Sequence, residues 1–146
     1  MIYEDVFEFA NKLHTNNSLI GLDLGTKTIG VAVSDTILSV ATPIKTIKRK
    51  KFSTDADQLL EIISTKNCCG VVIGLPKNMD GSEGPRAQST RAFGKNFSSR
   101  DVTISILDLT GKNIKNATHP ASKILEIKII KPATYLEPYL VFDSKL

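Results

Sequence analysis

The strongest candidate for a functional residue is Asp23, which lies in the apolar stretch LIGLDLG at residues 19–25. Leu22 and Leu24 flank it, so a strand at this place would carry a carboxylate among apolar side chains. Such a carboxylate is costly to bury unless it is paired, protonated or bound to a cation. Asp23 is therefore a candidate cation ligand. The alternative is an aspartate at the strand end that bonds to the backbone of the following turn.

A second candidate site follows the apolar run GVVIGL at residues 70–75. Turn-forming residues are frequent at positions 76–84, and Pro85 suits the first position of a helix. Because the amino terminus of a helix attracts anions, this loop and helix would suit a phosphate group. Three cations here are predicted to contact a nucleic acid backbone: Lys77, Arg86 and Arg91. The alternative is an ordinary loop and helix cap with solvated arginines.

Other residues offer weaker chemistry. The basic run Lys-Arg-Lys-Lys at residues 48–51 is equally compatible with a solvated turn and with a nucleic acid contact. Asp35 is predicted to form a turn or a cap rather than to bind a metal ion. The adjacent Cys68 and Cys69 would form a strained disulfide and supply too few ligands for zinc. They are predicted to be small, buried or half-buried side chains.

The elements that position these residues can be predicted from hydrophobic periodicity. Apolar runs rich in β-branched residues predict five strands, at residues 19–24, 28–34, 40–47, 70–75 and 102–107. Helical spacing predicts three helices, at residues 2–13, 54–65 and 85–98. The second helix has a capping-box-like start at Thr54 and Asp57. The turn Gly25-Thr26-Lys27 predicts a hairpin, and Pro43 restricts the third strand to a sheet edge or breaks it.

These elements predict an α/β fold with a mixed five-stranded sheet flanked by helices. A chain of 146 residues suits one domain, so residues 1–146 are predicted to form a single unit.

Three sequence blocks resemble the signature blocks of the YqgF family. They read GLDLGTKTIGVAVSD at residues 21–35, ATPIKTIKR at 41–49 and VVIGLPKNMDGSEGPRAQSTRAF at 71–93. The resemblance implies a ribonuclease H-like fold and a metal-dependent nuclease that acts on branched DNA or on the 5′ end of precursor 16S ribosomal RNA. It also implies that Asp23 and Asp108 are catalytic ligands of Mg²⁺ or Mn²⁺, and Lys27 is assigned to nucleic acid binding. Such ions, held by carboxylates, activate water and relieve charge on the leaving oxygen.

The resemblance weakens after Leu107. Family members carry an Asp-Glu-Arg-Leu block at this point, where this sequence reads Leu107-Asp108-Leu109-Thr110. The family's carboxy-terminal helix, which follows an aspartate, has no clear counterpart, and residues 124–130 suit a strand or a short buried helix. One hypothesis is a shifted or decayed reading frame after residue 107, which translation of the other frames of the coding DNA would test. These departures predict weak or absent cleavage by the chain as written.

Composition and charge exclude several classes of protein. The chain has a net charge of +4, no apolar run long enough to cross a membrane, and acidic residues where a secretory leader would be basic. These features predict a cytoplasmic protein, and the charge suits a nucleic acid partner without requiring one. The motif DLGTKT also resembles the phosphate loop of sugar kinases and actin-like ATPases, but their two lobes need several hundred residues. An RNA nuclease in ribosome biogenesis, a Holliday junction resolvase-like DNA nuclease and a catalytically inactive nucleic acid-binding module remain, and the oligomeric state stays open.

Overall fold

The computed structural model describes residues 1–14, 16–107, 127–130 and 139–142. The strands are β1 (Ile2–Tyr3), β2 (Ser18–Leu24), β3 (Thr28–Ser34), β4 (Ala41–Lys48), β5 (Cys68–Gly74), β6 (Ile104–Leu107), β7 (Ile127–Ile130) and β8 (Tyr139–Phe142). The helices are α1 (Val6–Ala10), α2 (Phe52–Thr65) and α3 (Pro85–Ser98). None of the helices in these ranges is both long and apolar enough to cross a membrane.

Six of the strands form one mixed sheet in the order β1-β6-β5-β2-β3-β4. Strands β1, β6, β5 and β2 run parallel to one another, whereas β3 is antiparallel to both of its neighbours. Strands β7 and β8 form a separate antiparallel pair. The predicted α/β class and mixed sheet are confirmed, but within the described ranges the large sheet has six strands rather than five.

The sixth strand comes from the predicted helix at residues 2–13, and that prediction is wrong at both ends. Ile2 pairs with Ile104 in β6, and the amide of Ile104 donates to the Met1 carbonyl at 2.9 Å. Asp5 then caps α1, because its Oδ1 accepts from the amides of Phe7 and Glu8 at 2.8 and 2.9 Å. Pairing with a distant strand therefore overrides the helical periodicity of the first residues.

The predicted capping box of α2 is also wrong. The helix begins at Phe52, two residues before Thr54, and its cap residue Lys51 makes no side-chain capping bond. The buried Asp55 accepts from the Lys50 amide at 3.1 Å instead. The acid that accepts a backbone hydrogen bond at the start of α2 is therefore Asp55, and not the predicted pair Thr54 and Asp57.

Two predictions based on proline are confirmed. Pro43 lies in β4, an edge strand of the six-stranded sheet, where a missing backbone donor is tolerated. Pro85 begins α3, where its amide would have no helical partner.

The two faces of the sheet bury separate clusters, because side chains alternate along each strand. On one face, Leu22 and Ile73 lie in a cluster with Leu59 of α2 and Phe93 of α3. On the other face, Leu19 and Val72 lie in a cluster with Phe9 of α1. By this alternation, Asp23 shares a face of the sheet with Leu19 and α1.

Candidate functional site

The predicted site residues of the described chain converge on one edge of the sheet. Strands β2, β5 and β6 are parallel, so their carboxyl ends meet there, and the Leu75 amide donates to the Leu107 carbonyl at 2.9 Å. Strand β4 runs antiparallel to β3 and therefore in the direction of β2, so it ends at the same edge. This edge is where ligands bind in open α/β sheets.

Asp23 is the next-to-last residue of β2, which lies between β5 and β3. It is partly buried, and its cross-strand partner is Gly30, which has no side chain. Within the described part of the chain, no donor bonds to its carboxylate. The following turn is closed without it, because the Gly25 amide donates to the Thr28 carbonyl at 2.8 Å. The alternative of an aspartate that bonds to the turn is therefore not what the structure shows.

The Asp23 carboxylate fits a hard divalent cation as one ligand. Its oxygens have no competing protein donor among residues 1–14 and 16–107, and Mg²⁺ and Mn²⁺ prefer oxygen ligands. In these ranges, however, no group of three histidine, cysteine, aspartate or glutamate residues converges on a metal position. The second predicted ligand, Asp108, lies outside the described residues, directly after the end of β6.

The loop between β5 and α3 is held by its own hydrogen bonds. Asn78 donates through Nδ2 to the Ser82 hydroxyl at 2.9 Å, and its amide donates to the Ser82 carbonyl at 2.9 Å. The Ser82 hydroxyl and amide both donate to Asp80, which lowers the pKa of that carboxyl. Gly81 has φ 84°, a left-handed conformation that favours glycine. The path from β5 to the start of α3 is thus ordered.

The four cations assigned to nucleic acid binding have different surroundings. Lys27 and Arg86 are exposed, in the β2–β3 turn and in the first turn of α3 respectively, and Lys77 is partly buried directly after β5. Arg91 is one turn further along α3 and is engaged with carboxylates.

Arg91 donates to both Oε atoms of Glu83 at 2.7 Å and to Glu4 at 2.6 Å. These bonds, with the Glu83 contact first, raise the pKa of Arg91 above its ordinary value. Its charge is therefore already matched, and a phosphate would have to compete with two carboxylates for it. These contacts are not predictable from the sequence, because they depend on how the loop and β1 fold back onto α3.

The basic run at residues 48–51 divides into two kinds of residue. Lys48, Lys50 and Lys51 are exposed, whereas Arg49 is partly buried and donates from Nη1 to the Gly25 carbonyl at 2.7 Å. Charge patterning alone could not distinguish the arginine from its neighbours.

Asp35 is not part of the site. It accepts from the Ser39 amide and hydroxyl at 2.7 and 2.6 Å and from the Val40 amide at 3.3 Å. Its predicted role in a turn is confirmed.

Comparison with known proteins identifies related sequences. Residues 17–125 match the family described as "RuvX: Holliday junction resolvase". A protein of Roseobacter denitrificans is 62% identical over 97 residues, which are 66% of this chain and 60% of that protein. A protein of Ruegeria pomeroyi is 58% identical over 109 residues, 74% of this chain and 71% of that protein. Both are named "Putative pre-16S rRNA nuclease".

The aligned part of this chain thus spans less than two thirds of the Roseobacter relative. Among solved structures, "T. thermophilus RuvC in complex with Holliday junction substrate" aligns with a TM-score of 0.48. It is 11% identical, and the alignment covers 80% of this chain and 84% of that one.

Proposed function

Because this chain belongs to the RuvX family, we propose that it is a divalent-metal-dependent endonuclease that processes the 5′ end of precursor 16S ribosomal RNA in the cytoplasm. The observation that carries the proposal is the Asp23 carboxylate, held at the carboxyl edge of the sheet without a donor among the described residues. A bound cation would offset the cost of partly burying this acid.

The described residues have separable tasks in such a reaction. Asp23 would hold the cation, with Asp108 as the second ligand that the sequence predicts. When bound, Mg²⁺ or Mn²⁺ would activate water and relieve charge on the leaving oxygen. Lys27, Lys77 and Arg86 would bind the sugar-phosphate backbone, and Arg91 would do so by exchanging a carboxylate for a phosphate.

The ordered loop after β5 would set the distance between the backbone and Asp23. It leads directly from the carboxyl end of β5 to the amino terminus of α3, which favours negative charge. The backbone of the nucleic acid would thus lie along the same sheet edge as the carboxylate.

A second candidate substrate is a four-way DNA junction. The description of the matching family as Holliday junction resolvases favours it, whereas the names of the curated relatives favour RNA. The proposed contacts are to phosphates, which both substrates have, so a substrate comparison has to decide.

The test is cleavage by the purified chain of three labelled substrates. These are a precursor 16S RNA fragment with its 5′ extension, a four-way DNA junction and a linear duplex of the same sequence. We expect slow cleavage of the RNA that requires Mg²⁺ or Mn²⁺. In Asp23→Asn, which preserves the shape of the side chain, we expect the rate to fall by about 100-fold or more. Circular dichroism should show an unchanged fold.

Cleavage that persists in Asp23→Asn or in chelator would overturn the proposal. Preferred cleavage of the junction would move the assignment to the DNA substrate. Binding without cleavage by both proteins would instead identify an inactive nucleic acid-binding module.

A further inference from the structure

Arg49 joins three parts of the molecule beside Asp23. Its Nη1 donates to the Gly25 carbonyl at 2.7 Å, and its amide donates to the Lys27 carbonyl at 2.9 Å. Its guanidinium carbon lies 6.0 Å from the centre of the Phe93 ring. One residue thus binds both ends of the β2–β3 turn and reaches α3.

The aromatic end of this connection is fixed. Phe93 is 5% exposed, and its ring makes an edge contact with Phe52 of α2 at 5.4 Å and a tilted contact with Phe97 at 5.7 Å. The guanidinium therefore rests on a side chain that the core of α2 and α3 holds in place. Arg49 therefore connects the β2–β3 turn to the helix layer that contains Phe93.

Arginine suits both contacts better than lysine does. A planar guanidinium can lie over an aromatic ring while one N–H donates to a carbonyl, whereas a lysine ammonium is a point charge without a planar face. Gly25 is two residues after Asp23, so movement of this turn would move the end of β2 that carries the carboxylate.

We propose that Arg49 is a positioning residue, which fixes the β2–β3 turn against α3 and so fixes the Asp23 carboxylate relative to the cations of α3. The role in cleavage rests on the proposed nuclease function. The lysines beside Arg49 in the basic run do not share this role, because their side chains are exposed.

The experiment compares Arg49→Lys with Arg100→Lys. The control is Arg100, an exposed arginine whose Nη1 lies 3.5 Å from Oδ1 of Asp57, beyond the opposite end of α3. In Arg49→Lys we expect amide exchange at Gly25 to accelerate about tenfold. We expect kcat to fall about tenfold and KM to change less than about twofold, because the substrate contacts remain. In Arg100→Lys all three quantities should stay at the wild-type values.

A second variant, Phe93→Leu, keeps an apolar core residue and removes the aromatic face. It should show the same exchange effect at Gly25 as Arg49→Lys, and circular dichroism should confirm that both variants fold. Unchanged Gly25 exchange in Arg49→Lys would overturn the structural part of the proposal. Faster exchange with an unchanged kcat would overturn the positioning role.

If the wild-type chain does not cleave, the proposed nuclease function is wrong, and the positioning role of Arg49 is tested separately. Mn²⁺-induced broadening of the Gly25 and Thr26 amides then replaces kcat as the readout. We expect the broadening in wild type and a weaker effect in Arg49→Lys. Equal effects in the two proteins, including no effect in either, would overturn the positioning role.

Discussion

Asp23 occupies the next-to-last position of an internal strand, and this position explains the two properties of its carboxylate. The side chain is partly buried because β3 and β5 lie on either side of β2. The turn two residues later closes through Gly25 and Thr28 without using this carboxylate, which has no bonded donor among the described residues. Because its sequence neighbours are apolar, Asp23 could be predicted as a candidate site residue from the sequence.

The contacts between charged side chains were harder to predict from the sequence. The contacts of Arg91 with Glu83 and Glu4 join residues 8 and 87 positions apart in sequence. Arg49 likewise reaches Gly25, 24 positions earlier. No helical or strand periodicity encodes such contacts. Charge was therefore the only basis on which a role could be predicted for these arginines.

The half-buried cysteines give a prediction about pH. Burial, with a smaller effect of Cys69, raises the pKa of Cys68 from 9.0 to about 11, and burial also raises the pKa of Cys69. Both thiols therefore stay protonated at pH 8. For Cys68 in the Cys69→Ser variant, which removes the smaller Cys69 contribution and keeps the effect of burial, the native protein should hold less thiolate than the unfolded chain at this pH, by up to roughly 100-fold. Iodoacetamide should react correspondingly slowly, and the rate should still rise between pH 9 and 11.

The control is the same variant in denaturant, where the thiol should titrate at its ordinary value. Equal alkylation rates in the native and unfolded protein at pH 8 would contradict the prediction.

At the scale of elements, long periodic segments were predictable and chain ends were not. Strand β3 and helix α3 have the predicted bounds, because their apolar residues repeat at the strand and helix periods. The first residues also satisfy a helical period, yet Ile2 and Tyr3 form a strand because β6 offers an open edge. The α/β class with a mixed sheet was predictable, whereas the sixth strand required knowledge of this distant pairing.

Helix α1 gives a prediction about stability. Replacing Asp5 with alanine removes the acceptor of the Phe7 and Glu8 amides, which should cost about 1 kcal/mol. In a domain of this size the midpoint of thermal unfolding should fall by about 3 °C. Asp5→Asn should retain most of the stability, since asparagine also caps helices.

Glu8→Ala is the matched control, because Glu8 is an exposed acid on the same short helix. A loss in Glu8→Ala equal to that in Asp5→Ala would show that acidity near the helix start, and not the cap, is what matters.

For the whole molecule, charge is distributed so that binding should depend on salt. The net charge is +4, and between Thr36 and Thr54 the sequence has five basic residues and no acid. We expect the affinity for nucleic acid to fall steeply as salt rises. The Arg86→Gln variant should reduce the slope of log K against log salt by about 0.7 to 0.9.

Arg100→Gln, at the other end of α3, should leave the slope unchanged. Equal slopes for wild type and Arg86→Gln would remove Arg86 from the interface. The predictions that concern Asp108 and the reading frame after residue 107 lie outside the described residues and stay predictions.

The pairing of β1 with β6 also has a consequence for biosynthesis. Ile2 and Ile104 are neighbours in the sheet but roughly 100 residues apart in the chain. During synthesis on the ribosome, β1 therefore stays unpaired until β6, the last strand of the large sheet in chain order, has been translated. Phe9, which is fully enclosed in the finished protein, lacks Leu107 of β6 throughout that interval and Val72 of β5 for the first part of it. The nascent chain should accordingly present an apolar amino-terminal segment that attracts chaperones until β6 leaves the exit tunnel.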